Sequence, residues 1–247
     1  MRLVLGPLAI IVQRSHISND EIFTLGMMML KLYNYFRSST SYRVRIALHL
    51  KGLPFEYVPV HLLRHGGEQH SASFHQRNPQ ELVPTLQDGA VFISQSLAIM
   101  EYLEERYPTP ALLPEEVQLR AHIRQLMLMM ACEMHPLCNL RVLQYLSANV
   151  VQENQIDTVS SAWINHWTKM GLQALEEILS RSIWRGAFCV GDHATLADCC
   201  LIPQLANARR FKVELTPFPT LLEIEKTCHQ LVGFRLAAPD VQIDTES

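Results

Sequence analysis

Apolar and polar positions along the chain keep two rhythms, and the change falls near residue 110. Leu30–Phe36, "LKLYNYF", is an aromatic-rich strand candidate. In "SYRVRIALHLKG", Val44, Ile46, Ala47, Leu48 and Leu50 fall at helical spacing and Gly52 supplies the stop, which predicts a helix over 42–51. Phe55–Val60 reads as a second strand, and Pro59 inside it demands an edge position. Thr85–Ile93 reads as a hairpin folded at Asp88-Gly89. Ser96–Tyr107 is an amphipathic helix with Glu101, Glu104 and Glu105 on its wet side. The order is βαβ, then ββα: a small mixed sheet carrying helices. "PTPALLP" (Pro108–Pro114) then acts as a linker. Beyond it strand signals nearly vanish, and stretches 115–135, 135–150, 159–181, 195–211 and 218–231 follow one another at helical period.

Those rhythms set the expected boundaries. Residues 29–110 form an α/β domain, 111–238 an all-α domain, and 239–247 a polar, loose tail. Residues 1–28 read as an extension outside the fold. "LVLGPLAIIV" has the length of a signal-peptide core, but no small-x-small cleavage site follows it closely.

Composition narrows the partners. Hydrophobic residues make up 48% of the chain and charged ones 18%, an ordinary globular balance. A net charge of −3 gives no electrostatic reason to expect nucleic acid. No apolar run approaches the roughly 20 residues of a membrane span. Six cysteines without a CxxC pair, two of them adjacent, make a poor disulfide framework. Free, mostly buried thiols in a reducing, cytoplasmic setting are the expectation.

Candidate chemistry gathers in the first half. Ser38, Ser39, Thr40 and Ser41 stand immediately before the first helix. One hydroxyl suffices to cap a helix, whereas its unpaired N–H groups and positive dipole end suit an anion. Val83-Pro84 precedes a strand, and a cis bond there would leave the Val83 backbone as an edge for a peptide-like ligand. Gln95 and Ser96 open the next helix, where Ser96 could cap or help hold a carboxylate. Each feature also has a plain structural reading. Cys132, His135 and Cys138 show C-x2-H-x2-C spacing, but the turn at Pro136 gathers them poorly and no fourth ligand lies nearby, so no metal is expected. His61, His65, His70 and His75 read as exposed loop histidines, Thr195-x-x-Asp198 as a capping box, and Trp163 with Trp167 as packing.

In this order the motifs resemble one family. "RSSTSYRVRIALHLKG", "NPQELVPTL", "SQSLAIMEYLEE", "HPLCNLRVLQYL" and "ELTPFP" are similar to the zeta-class glutathione transferases, over about Met29 to Ala238. The resemblance implies a thioredoxin-like first domain, an all-helical second domain, a homodimer, and glutathione as cofactor. By position it implies that Ser38, Ser39 and Thr40 surround the glutathione sulfur, that Gln69, Val83 and Pro84 meet its backbone, and that Gln95 and Ser96 hold its γ-glutamyl end. His135 and Asn139 to Arg141 would approach from the second domain. Thr40 stands where animal members of the class carry cysteine, so no role needing a protein thiol transfers.

The activity implied is cis–trans isomerisation of maleylacetoacetate in tyrosine breakdown. Maleylpyruvate isomerisation in gentisate breakdown is the near alternative. Conjugation or dehalogenation of α-halo acids and a non-catalytic binding module stand further off. A free thiol of pKa about 8.5 is a few per cent ionised at neutral pH, and a two-unit shift needs about 2.7 kcal/mol. A helix end supplies about 0.3–1 kcal/mol, rising to about 2 in favourable sites. One hydrogen bond to the anion adds about 1.5–3 kcal/mol. The dipole alone falls short, and dipole plus hydroxyls suffices. A maleyl diacid also needs cations, for which Arg37, Arg141 and Arg210 are the candidates.

Overall fold

The computed structural model describes residues 29–150 and 156–245, so the expected 1–28 extension lies outside the described residues. The first half contains β1 (Leu30–Asn34), α1 (Ser39–Leu50), β2 (Phe55–Pro59), a short α2 (Ala72–His75), β3 (Thr85–Asp88), β4 (Val91–Ser94) and α3 (Ser96–Arg106). The sheet order is β2-β1-β3-β4. β1 and β2 are parallel, while β3 runs antiparallel to both β1 and β4. This is the thioredoxin-like arrangement expected, with Pro59 on the edge strand, where its missing N–H costs no ladder bond.

The second half is helical: α4 (Val117–Leu128), α5 (Leu140–Asn149), α6 (Ile156–Arg181), α7 (Leu196–Arg210), α8 (Pro219–Cys228) and α9 (Val232–Ala237). One apolar core runs through both halves. Leu32 and Leu86 of the sheet, Val44, Ile46 and Leu48 of α1, and Leu201 and Leu205 of α7 are all fully buried in it. α1 is the shared element, packed chiefly on α7 and α9. Gly233 permits the α9 approach, since a Cβ there would stand 3.3 Å from the Leu50 backbone nitrogen.

Four expectations change. Glu104 is buried rather than wet, pairing with buried Lys51 at 2.6 Å. It also accepts the Leu112 and Leu113 N–H groups, while Lys51 donates to the Tyr107 and Pro110 carbonyls. Apart from the bond between them and the one to Tyr107, the buried pair spends its polar capacity on the linker, which ties that segment to the first half. The loop 61–75 folds into two 3-10 turns and α2, with His61 buried and accepting the Leu63 and Arg64 N–H groups. The stretch 115–135 is not one helix: α4 starts at Val117, and a π-helical turn, Met129–Met134, and a 3-10 turn, Pro136–Cys138, follow it before α5 begins. Trp163 donates to the Leu137 carbonyl at 2.8 Å and holds that turn. The tail from Pro239 is not loose over its described part. Pro239–Val241 forms a 3-10 turn, and Asp244 bonds to Tyr57 of β2 and to the Phe36 N–H.

Candidate active site

The hydroxyl run forms the first turn of α1. Ser38 is the N-cap, its Oγ accepting from the Ser41 N–H at 3.2 Å. Thr40 Oγ1 donates to the Val83 carbonyl at 3.0 Å and lies 2.8 Å from Ser38 Oγ. With its own proton spent on Val83, Thr40 must accept in that contact, so Ser38 is the donor. Ser39 Oγ lies 3.1 Å from His135 Nδ1, across the junction with the helical half. Among the described residues the Ser39 and Thr40 N–H groups have no partner, like the first N–H groups of a helix when no side chain turns back on them. No acidic residue sits in this turn. The result is a positive helix end with one redirectable hydroxyl proton, open to an anion.

This turn faces a cleft of about 390 Å³ between the halves, lined by Arg37, Ser38, Ser39 and Thr40, and by Gln69 and Val83. His135, Asn139, Arg141 and Arg210 close it from the helical side. A second cavity of about 240 Å³ adjoins it, sharing Thr40, Val83, His135, Asn139 and Arg141 and adding Pro84, Gln95 and Ser96. Each residue to which the resemblance assigned a place at the cofactor or the diacid therefore lines one of two adjoining cavities, whereas Ser41 is fully buried and lines neither. Val83-Pro84 is cis. Ser96 does not cap: Gln95, at φ 73°, is the N-cap of α3 and makes no side-chain capping bond. The Ser96 hydroxyl instead accepts from Arg43 Nη1 at 3.2 Å.

Arg43 went unnoticed in the sequence, although a charge on the apolar face of "SYRVRIAL" was a signal. It is 1% exposed, lines the second cavity, and its Nε and Nη2 have no partner. Burial lowers its pKa. Gln69, also buried, lines the first cavity, and its Oε1 has no partner among the described residues. Residues with unfilled polar capacity border both cavities, which suits a peptide-like, carboxylate-bearing cofactor. Glutathione, with an amide backbone, a thiol and two carboxylates, matches that donor set.

Electrostatics divide the cleft. Burial and the neighbouring Arg43 push the His135 pKa down to about 3, so its imidazole is neutral and serves as a hydrogen-bonding group rather than a base. Arg37, Arg141 and Arg210 are exposed at the mouth, and none carries a carboxylate partner among the described residues. Arg210 does not pair with an acid of its own half, because Glu225 is taken by Arg209. It lies over the Phe211 ring, and partial desolvation of its guanidinium together with the nearby Arg37 charge lowers its pKa. No group of three or more His, Cys, Asp or Glu among the described residues could hold a metal ion.

A thioredoxin-like domain whose first helix start opens on a cleft with an all-helical domain defines a glutathione transferase architecture. Residues 32–111 match the family "Glutathione S-transferase, N-terminal domain". The chain is 47% identical over 218 residues to a probable maleylacetoacetate isomerase of Vibrio cholerae, covering 88% of this chain and 99% of that one. Among solved structures, the holo form of a maleyl pyruvate isomerase, a bacterial zeta-class glutathione S-transferase, superposes with TM-score 0.82 at 46% identity, covering 87% of this chain and 100% of that one. The maleylacetoacetate isomerase of Anaeromyxobacter dehalogenans, solved with bound GSH in its active site, gives TM-score 0.77 at 41% identity, covering 89% and 99%. The chain belongs to the zeta-class glutathione transferase and maleylacetoacetate isomerase family.

Proposed function

We propose that this protein is a glutathione-dependent cis–trans isomerase that converts maleylacetoacetate to fumarylacetoacetate. The observation that carries the reading is the open first turn of α1, facing a cleft whose mouth holds three arginines that have no carboxylate partner among the described residues. When bound, glutathione supplies a thiol that adds reversibly to the cis double bond and so permits rotation about it.

The chain's own residues do the rest. Ser38 redirects its proton from Thr40 to the sulfur, and the free Ser39 and Thr40 N–H groups add the helix end's positive field. Neutral His135 holds the Ser39 hydroxyl in place. Gln69 and the Val83 backbone meet the amide portion, while Gln95, Ser96 and buried Arg43 receive the γ-glutamyl carboxylate. Arg37, Arg141 and Arg210 bind the carboxylates of the diacid and the negative charge that builds during reaction.

Maleylpyruvate is the near reading, favoured by the 46% identity to the maleyl pyruvate isomerase structure. The two diacids share the double bond and both carboxylates, so the same residues serve either. We also propose a cytoplasmic homodimer. Val91 and Phe92 stand exposed on the edge strand β4, which supports self-association, and no described helix is long and apolar enough to cross a membrane. Rates with each maleyl substrate, with and without glutathione, test the function. Glutathione-dependent isomerisation of maleylacetoacetate is expected, and turnover independent of glutathione for both substrates would refute the reading.

A further inference from the structure

We propose that Asp244, near the C-terminus, is a positioning residue for the thiol-activating turn, holding the Tyr35–Ser38 backbone in the conformation that presents Ser38 to the cofactor sulfur. The proposal rests on the isomerase reading above.

The turn is gripped from two sides. Beneath it, buried Arg45 donates Nη1 to the Tyr35 carbonyl at 3.3 Å and to Asn34 Oδ1 at 3.0 Å. Its Nη2 donates to the Phe36 carbonyl at 3.0 Å and its Nε to the Ala237 carbonyl at 3.0 Å. Arg45 is fully buried, and among the described residues no carboxylate bonds to it. From outside, Asp244 Oδ2 accepts the Phe36 N–H at 3.2 Å, while Oδ1 accepts the Tyr57 hydroxyl at 2.5 Å.

Asp244 thus ties the end of the chain to β2 and to the turn at once. Its charge also acts on Arg45, whose pKa burial has pushed down to about 10, while Asp244, Tyr57 and Tyr42 oppose that shift. Two residues beyond Phe36, Ser38 places its hydroxyl on Thr40, and Arg37 between them lines the cleft. With the Phe36 N–H unheld, the segment that sets both side chains would keep its grip from Arg45 but lose the one from Asp244. Small displacements of a donor from a developing anion cost rate steeply, whereas peptide-binding contacts elsewhere in the cleft are unaffected.

The test uses the full-length protein with Asp244→Ala, Asp244→Asn and Tyr57→Phe. Three readouts are taken: the ultraviolet thiolate titration of bound glutathione, kcat and glutathione KM for the isomerisation, and thermal unfolding without glutathione. Asp244→Ala is expected to raise the midpoint of the bound thiol by about one unit and lower kcat about tenfold, with glutathione KM within about threefold. Asp244→Asn keeps one carbonyl oxygen for the Phe36 N–H and should fall between wild type and Asp244→Ala. Tyr57→Phe removes the other anchor, so a partial shift in the same direction is expected, and it answers the question if Asp244→Ala does not fold. A lowered unfolding temperature with an unchanged thiol midpoint in all folded variants would overturn the proposal and leave the isomerase reading standing. A wild-type complex without a lowered thiol midpoint would overturn both.

Discussion

The starts of α1 and α7 are built from similar residues and end in opposite states. At α7, Thr195 and Asp198 form a closed capping box: the Thr195 oxygen accepts from the Ala197 N–H, and the Asp198 carboxylate accepts the Thr195 N–H at 2.8 Å. Asp198 also accepts the Cys189 N–H at 2.9 Å, and the whole arrangement is buried. At α1, Ser38 caps with one bond, no acid follows, and two N–H groups remain open toward the cleft. One helix end spends its polar capacity on the fold, and the other keeps it for a ligand. Hydroxyls before a helix therefore identify a site only when the capacity they bring exceeds what the helix itself consumes.

Breaking the open end should cost activity far more than stability. Ser38→Ala is expected to lower kcat about 10²–10³-fold with glutathione KM changed little, as measured by steady-state kinetics. Its stability loss, from the cap alone, should be about 1 kcal/mol by urea unfolding. Equal loss of rate and affinity would assign Ser38 to binding instead. At the mouth of the same cleft, Arg210→Ala should raise the diacid KM about tenfold or more, and Arg210→Lys should fail to restore it because the bidentate geometry is lost.

The closed end should respond in the reverse sense. Asp198→Ala leaves two buried N–H groups without an acceptor, and about 2–5 kcal/mol of stability should disappear in urea unfolding. kcat measured well below the unfolding transition should stay within about twofold, since Asp198 touches neither cavity. A large kcat effect with intact stability would erase the distinction between the two ends.

The smallest expected effect concerns pH. His135 titrates near 3 in the fold and near 6.5 when unfolded, so the unfolded chain binds the extra proton first. Wild-type stability should fall as pH drops below about 6.5, and His135→Gln should flatten that part of the curve. The shape of the pH–rate profile between about pH 5 and 8 should be the same in both proteins, because His135 is neutral throughout. A profile whose acid limb vanishes in His135→Gln would contradict the neutral assignment.

The same contrast explains what could be read from sequence. Strand and helix order, the edge position forced by Pro59, and the capping box at Thr195–Asp198 depend on local rules, and all appear in the fold. The cleft residues were recognisable because motif order brings distant pieces together. Glu104 and Asp244 were not legible, and Arg43 left only the signal of a charge on an apolar helix face. Each is a charged side chain whose place is set by partners far along the chain: Ser96 for Arg43, Lys51 for Glu104, Phe36 and Tyr57 for Asp244. Local pattern assigns such residues to solvent by default, and only tertiary packing reverses it.

The central claim is that the open end of α1 stabilises a sulfur anion. Titrating the thiolate absorbance of glutathione bound to wild-type and Ser38→Ala protein tests it most directly. The account predicts a wild-type midpoint about two units below that of a free thiol, near 8.5, and a return most of the way toward it in Ser38→Ala. A bound thiol as weakly acidic as the free one in wild type, or an unchanged midpoint in Ser38→Ala, would contradict it.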